Sequence, residues 1–244
     1  MSERVLPLEW ESEFLPWFKS VWRPGEHMAV IAPTGAGKTT FTSGVLDYCR
    51  KYVLALDPKG GDQTLSTLGY ERLSKWPGIK EITKKLDSND EHDLPTRFLI
   101  GGANRTQEEY ENLVKTMKAT LEDSWSMGGW TLYVDELQIL TDHRMMNLRQ
   151  QCDRLLIAAR DRGISFVSSY QAPSWVTPQA SRQASWIAVS YTQDDDVVTR
   201  LAEVLGRSKA EVRGAFKGLD RFAWVIVGRD PREPYRVTIP NARN

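Results

Sequence analysis

Cysteine is scarce: Cys49 and Cys152 are the only two in 244 residues. That excludes a disulfide framework, and both fall in segments of helical pattern, as reduced core thiols of a cytosolic protein. Net charge is also missing, because 32 basic side chains balance 32 acidic ones. No global field draws the chain to nucleic acid, so any such contact must come from a local patch. No apolar run approaches the length of a membrane span, and the opening MSERVLPLEWESEF does not read as a signal peptide. Internal repeats and low-complexity tracts are absent. What is present is enough chain for one α/β domain with a large core, or at most two small domains. The nine tryptophans read as core or interface anchors without assigned chemistry.

The stretch from His27 to Arg50 organises the rest. It reads as a short apolar run, HMAVIA, then a Gly-rich turn, PTGAGK, then an amphipathic segment. Ala32 to Thr39 fits the phosphate-loop pattern, with Ala in place of the usual first Gly. Gly35 and Gly37 let the backbone curl so that successive N–H groups point at an anion. The helix that opens at Lys38 adds its free N–H groups and the positive end of its dipole. The phosphate-binding set is therefore Pro33, Thr34, Gly35, Ala36, Gly37, Lys38, Thr39 and Thr40. Lys38 reaches the β- and γ-phosphates of ATP, and the Thr39 hydroxyl holds Mg²⁺. A chance Gly-rich turn is the bland alternative, but the strand before and the helix after supply the context that the motif requires.

Along the chain, residues 1–26 read as an amphipathic segment that packs on the main domain or a neighbouring subunit, with Pro16 disfavouring one long helix. Residues 27–244 read as a single ATPase domain. Strands are expected at 52–56, 97–100, 130–134, 164–169 and 185–191 besides the first. Helices are expected at 107–122, 145–160, 194–205 and 208–216, and residues 60–96 read as irregular and charged, with room for two short helices. Residues 222–227 and 235–239 close the chain as an antiparallel pair around the turn Arg229-Asp230-Pro231. Strands alternating with helices predict an α/β fold with a mostly parallel central sheet flanked by helices, and antiparallel strands near the C-terminus.

The strand WTLYV runs straight into Asp135-Glu136, the acidic strand tip that a phosphate loop requires. Asp135 shares the Mg²⁺ with Thr39, and Glu136 is placed to orient or deprotonate an attacking water. Alone, the pair would read as a turn cap. Gln171, directly after the fifth strand, can report whether a γ-phosphate is present. Arg160 and Arg162 end a helix, where cations suit the dipole; the functional alternative is an arginine finger reaching a neighbouring subunit's γ-phosphate. The Asp194-Asp195-Asp196 run reads as a solvated helix start, not a metal site.

Four pieces together resemble the FtsK–HerA superfamily of P-loop motor ATPases: APTGAGKTT, ALDPKG, LYVDEL and ARDRGISFVSSYQAPS. The last is similar to the family's pattern of an Arg three residues before a Gly, a strand, then Thr-Gln-Arg-Pro. On it, Arg160 falls at the finger position and Gln171 at the strand-end Gln, while Tyr170 replaces the Thr and Ala172 the Arg. The resemblance covers about residues 27–227. It implies a RecA-like core, a homo-hexameric ring with ATP sites between subunits, and movement of double-stranded DNA, as in the compact packaging ATPases of viruses and mobile elements. A viral protein of this kind works in the host cytoplasm. Glu136, Lys38, Arg160 and Gln171 then form the catalytic set. The alternatives are a nucleotide-gated assembly protein that recruits a partner through its Trp-rich N-terminus, and the ATPase of a conjugation or secretion complex. Basic candidates for DNA contact are Lys80 to Lys85 and Arg207 to Arg221.

Overall fold

The fold was obtained as a computed structural model that describes residues 5–60, 64–76, 78, 82, 96–102, 106–192, 194–230 and 232–240. The elements of its first half are β1 (Val5–Pro7), α1 (Leu15–Val21), β2 (His27–Ile31), α2 (Lys38–Cys49), β3 (Val53–Leu56), α3 (Thr64–Thr67), β4 (Glu71–Leu73), β5 (Arg97–Ile100) and α4 (Gln107–Met127). There follow β6 (Thr131–Val134), α5 (Leu137–Thr141), α6 (Arg149–Ala158), β7 (Ser165–Tyr170), α7 (Pro178–Arg182), β8 (Ala184–Ser190), α8 (Asp195–Leu205), α9 (Lys209–Phe216), β9 (Trp224–Gly228) and β10 (Tyr235–Thr238).

The strands form one sheet in the order β1-β10-β9-β8-β2-β7-β6-β3-β5-β4. Only β9 runs against the rest, pairing antiparallel with β8 and β10. This is the mixed α/β sheet that the alternation of elements predicts. Strands such as VLAL and TLYV are buried at every position, as a parallel sheet covered on both faces demands.

Side chains alternate across that sheet and split the core in two. Ala29, Ile31, Leu54, Leu56, Leu132 and Val134 join Leu113, Met117 and Leu121 of α4, Leu155 of α6 and Leu201 of α8 on one face. Met28, Val30, Val53, Ala55 and Tyr133 join Phe41, Val45 and Leu46 of α2 on the other. The α4 register expected from Leu113, Met117 and Leu121 is the one observed, started by a capping box in which the Thr106 hydroxyl accepts from Glu109 N–H at 3.1 Å. Cys152 and Cys49 are free thiols, the first fully buried.

The N-terminal segment closes the second face. A π-helical turn (Trp10–Phe14) runs into α1, and Trp10, Phe14, Phe18 and Trp22 are all buried against α2 and the sheet. Each such aromatic contributes roughly 1.5–3 kcal/mol on burial. Pro16 does not break the run, because it sits in the first turn of α1, where its missing N–H costs nothing.

Several elements depart from the sequence expectation, among them the unforeseen short helices α5 and α7. The three-residue strands β1 and β4 pair only through β10 and β5 at the sheet edges, and such short edges carry no apolar pattern to read. The expected helix at 145–160 begins instead at Arg149, because α5 already occupies residues 137–141. The linking turn folds back on α5: Leu148 N–H donates to Leu140 C=O at 2.7 Å. Of residues 60–96, a large part lies outside the described residues.

Candidate nucleotide site

The loop after β2 has the conformation its glycines allow. Gly35 and Gly37 both have φ of 79°, in the left-handed region, and a Cβ added at either would meet nothing within 4 Å. The backbone turn, not crowding, therefore demands glycine, and the space beside the loop is open. Gly37 caps α2 with no side-chain hydrogen bond, so the first N–H groups of that helix are free for an anion. The Lys38 ammonium lies buried under the loop and donates to Ala32 C=O at 3.0 Å. Burial lowers its pKa; Glu136 and Asp135 pull it back up, while Lys59 pushes it further down.

Those two carboxylates arrive from β6. In the sheet β2 pairs with β7 and β7 with β6, so all three strand tips point the same way beside one another. This is the crevice at the carboxyl ends of parallel strands where α/β proteins bind ligands. Asp135 Oδ1 accepts from Tyr133 Oη and Ser169 Oγ, each at 3.0 Å. Among the described residues its Oδ2 has no hydrogen bond and is available to a cation. Glu136 is 2% exposed and sits in the left-handed region at φ 63° and ψ 64°, an uncommon state for a residue with a Cβ and one found at functional sites. Lys59 Nζ lies 3.0 Å from its Oε2, and Gln171 Nε2 donates to its Oε1 at 3.1 Å. Burial pulls the Lys59 pKa down, but the hydrogen bond and charge of Glu136, with Asp135 and Asp57, outweigh it and leave it raised.

Among the described residues no three His, Cys, Asp or Glu side chains cluster as a metal site. Thr39 and the unbonded oxygen of Asp135 are oxygen donors of the kind that could hold Mg²⁺, which keeps several waters and takes phosphate oxygens from its nucleotide. Lys38, Asp135, Glu136 and Gln171 thus gather at one end of β2, β6 and β7.

Arg160 does not join them. It sits in a 3-10 turn before β7 (Arg160–Arg162), at the opposite end of strands that span roughly 20 Å. Its guanidinium donates to Ser185 Oγ at 2.7 Å and is otherwise exposed. Beside it lies buried His27, whose pKa is pulled down to about 4 by burial and then by the Arg160 charge. His27 Nδ1 accepts from Phe166 N–H at 3.0 Å. Arg162 lies over the Trp125 ring at 4.8 Å, so the two arginines point to different neighbours.

Of the basic candidates, Lys80, Lys84 and Lys85 lie outside the described residues. In the second group Arg213 pairs with Asp195, and Arg207 covers the Tyr235 ring at 4.3 Å. Lys209, Lys217 and Arg221 remain exposed. Asp194 caps α8, accepting from Asp196 N–H at 2.8 Å, as its helix-start reading expects.

Sequence comparison is silent: no protein-family model matches the chain, and no curated protein does. Solved structures do match. The genome packaging NTPase B204 of Sulfolobus turreted icosahedral virus 2, in complex with AMPPCP, aligns over 90% of this chain and 100% of its own, at TM-score 0.60 and 16% identity. The fold is that of a P-loop NTPase. VirB4 of Thermoanaerobacter pseudethanolicus shares this P-loop fold over 88% of the present chain and 89% of its own, at TM-score 0.62 and 11% identity. The pCW3 conjugation coupling protein TcpA, in its monomer form with ATPγS, aligns over 87% of this chain and 59% of its own, at TM-score 0.52 and 14% identity. A viral genome packaging NTPase and a conjugation coupling protein are among the neighbours that the four sequence motifs lead one to expect.

The role of Lys59 had no reading of its own in the sequence, where Asp57-Pro58-Lys59 stood out only for its family likeness. Lys59 and Glu136 are 77 residues apart, and only the pairing of β3 with β6 brings their tips together. Tyr133 and Ser169, which orient Asp135, are visible afterwards as polar residues within otherwise apolar strands.

Proposed function

We propose that this chain is an ATP-hydrolysing motor that moves double-stranded DNA, in packaging or transfer. It acts as a homo-oligomeric, hexameric ring in the cytoplasm. The observation that carries the proposal is the convergence of Lys38, Asp135, Glu136 and Gln171 on the open phosphate loop. Residues 27–244 serve as the ATPase domain, and the N-terminal segment packs into its core.

Pro33 to Thr40 cradle the triphosphate, with Lys38 turning from its carbonyl contacts to the β- and γ-phosphates. Thr39 and Asp135 would hold Mg²⁺, and the ion would supply positive charge beside the phosphoryl oxygens. Glu136 orients a water toward the γ-phosphorus and takes its proton as the new P–O bond forms and the bond to ADP breaks. Gln171 senses the γ-phosphate through its hydrogen bond to Glu136. Arg160, too far from its own phosphate loop, stabilises the transition state in a neighbouring subunit.

The rival reading as a partner-recruiting switch needs free N-terminal aromatics, and the burial of Trp10, Phe14, Phe18 and Trp22 weighs against it. A role inside a conjugation or secretion complex is compatible with the same chemistry. The test is the ATPase rate of the purified chain with and without duplex DNA, measured beside its native mass. Strong stimulation in a ring-sized species is expected of a motor. A rate indifferent to DNA overturns translocation, and loss of stimulation at high salt locates the contact in phosphates.

A further inference from the structure

Arg160 and Arg229 meet at the start of β8, at the end of the sheet away from the phosphate loop. The reversed direction of β9 brings them together. Because β9 runs antiparallel to β8, its last residue, Gly228, delivers Arg229 to the end where β8 begins. There Arg229 N–H donates to Ser185 C=O at 3.2 Å, and the Arg160 guanidinium donates to Ser185 Oγ at 2.7 Å. One serine thus fixes both arginines. Both are exposed, and the Arg229 guanidinium makes one long contact, to Ser181 C=O at 3.4 Å.

What the pair lacks is an acid. Among the described residues neither arginine has a carboxylate partner. Asp230, next in the chain, is already held by the Arg232 guanidinium at 2.7 Å. Burial, and then the Arg160 charge, lower the Arg229 pKa, so the two cations repel across Ser185. Such a face is completed by an anion from outside. Guanidinium forks match phosphate oxygens, with charge-assisted hydrogen bonds about twice as strong as neutral ones. Two forks fixed by one residue converge on one point. That suits a compact anion with several oxygens better than charges strung along a duplex.

Resting on the trans reading of Arg160 above, we infer that Arg229 is a second arginine that enters the neighbouring subunit's site, where it shares the γ-phosphate oxygens with Arg160. A ring built from head-to-tail interfaces sets this face of one subunit against a different face of the next. Charge in the transition state spreads over three equatorial oxygens, more acceptors than one fork of two parallel N–H groups engages. A second guanidinium supplies the remaining donors. Arg229 moves no proton; it holds charge as it develops. Arg162 is not the second arginine, since it is drawn aside to the Trp125 ring.

The test uses full chains carrying Lys38→Ala, Arg160→Ala or Arg229→Ala, alone and mixed pairwise in equal amounts, with native mass confirmed. Two readouts are followed: ATP turnover without DNA, and retention of Mg²⁺-ADP with aluminium fluoride, which mimics the phosphoryl group in transfer. Arg229→Ala should lower turnover roughly a hundredfold and weaken fluoroaluminate trapping, while ADP alone binds as before. Mixed with Lys38→Ala it should regain both, because about a quarter of the interfaces then join an intact arginine face to an intact phosphate loop. Mixed with Arg160→Ala it should regain neither, since every interface lacks one arginine. Arg229→Lys, which keeps the charge without the fork, should fall between. Recovery in the mixture of the two arginine variants overturns the inference. So does failure of Arg229→Ala to recover with Lys38→Ala when Arg160→Ala does. Loss of DNA stimulation alone, with trapping unchanged, overturns it too and assigns Arg229 to duplex phosphates. Should Arg229→Ala and Arg229→Gln both lose the ring mass, Arg229 is an assembly contact instead. Failure of the underlying reading looks different: neither arginine variant would then recover with Lys38→Ala.

Discussion

The Lys59 ammonium lies 3.0 Å from the Glu136 carboxylate and ties the loop after β3 to the tip of β6. Glu136 is almost wholly buried whereas Lys59 is about half exposed, at 3% and 53% of side-chain area. The lysine can therefore swing away while the glutamate cannot. With Gln171 on the other oxygen, the carboxylate is held in a left-handed backbone state that would otherwise relax.

Lys59→Met keeps the stem and removes the charge. The phosphate cradle is untouched, so nucleotide affinity should change less than about twofold, while turnover falls roughly tenfold because the positioned base is lost. Stability should also drop, because the buried Glu136 carboxylate is left without its charge partner. Steady-state kinetics beside calorimetric titration separates the two effects. A variant with weakened affinity and normal turnover would reassign Lys59 to the phosphates.

Glu136→Gln retains a hydrogen-bond acceptor for Lys59 but cannot take a proton. Turnover should fall by a factor of about 10² to 10⁴, with ATP binding preserved. Undiminished turnover would remove Glu136 from the base role and leave it as an anchor for Gln171.

Arg160 lies about a strand length from its own phosphate loop, so its removal should be rescued by a neighbour. Arg160→Ala should lower turnover about a thousandfold, and Lys38→Ala should abolish it. Mixing the two inactive proteins creates some interfaces with both residues intact. Recovered activity supports the trans role; an inactive mixture from confirmed mixed rings excludes it.

His27 couples the fold to pH. Its unfolded pKa is near 6.5 and its folded one about 4, so the unfolded chain takes up the proton first as pH falls. The stability that depends on neutral His27 is complete above pH 6.5 and is lost progressively down to about pH 4. The full loss is on the order of 3 kcal/mol. Denaturant midpoints at pH 7 and pH 5 should show part of this fall. His27→Asn, which offers an acceptor to Phe166 N–H without titrating, should flatten it across that window.

The phosphate loop and the acidic tip of β6 were legible because their chemistry is local: a backbone turn that only glycine adopts, and carboxylates at the end of a buried apolar strand. So was the direction of α4, whose Leu113, Met117 and Leu121 repeat at helical spacing. Contacts between distant tips were not legible. Nothing near Lys59 announces Glu136, since that pairing depends on sheet order. The N-terminal aromatics were ambiguous for another reason. Residues that suit a core also suit an interface, and only the surface of α2 decides between them.

That surface carries the last prediction. Gly44 lies inside α2, where glycine ordinarily costs about 0.5–1 kcal/mol against alanine. Here a Cβ would fall 2.8 Å from Trp10 Cζ2. The indole cannot easily retreat, being stacked on Phe14 at 5.1 Å and tilted against Phe41 at 5.6 Å. Gly44→Ala should therefore destabilise the fold by about 1–3 kcal/mol, the usual cost of overpacking a core. In a Trp10→Ala background the obstacle is gone, and the same change should become neutral or stabilising by up to about 1 kcal/mol. Denaturant unfolding of the four proteins gives the coupling directly. A sign that reverses between backgrounds places the N-terminal segment on α2 in solution, because only direct contact between Gly44 and Trp10 couples them. Additive effects would mean that the segment packs elsewhere.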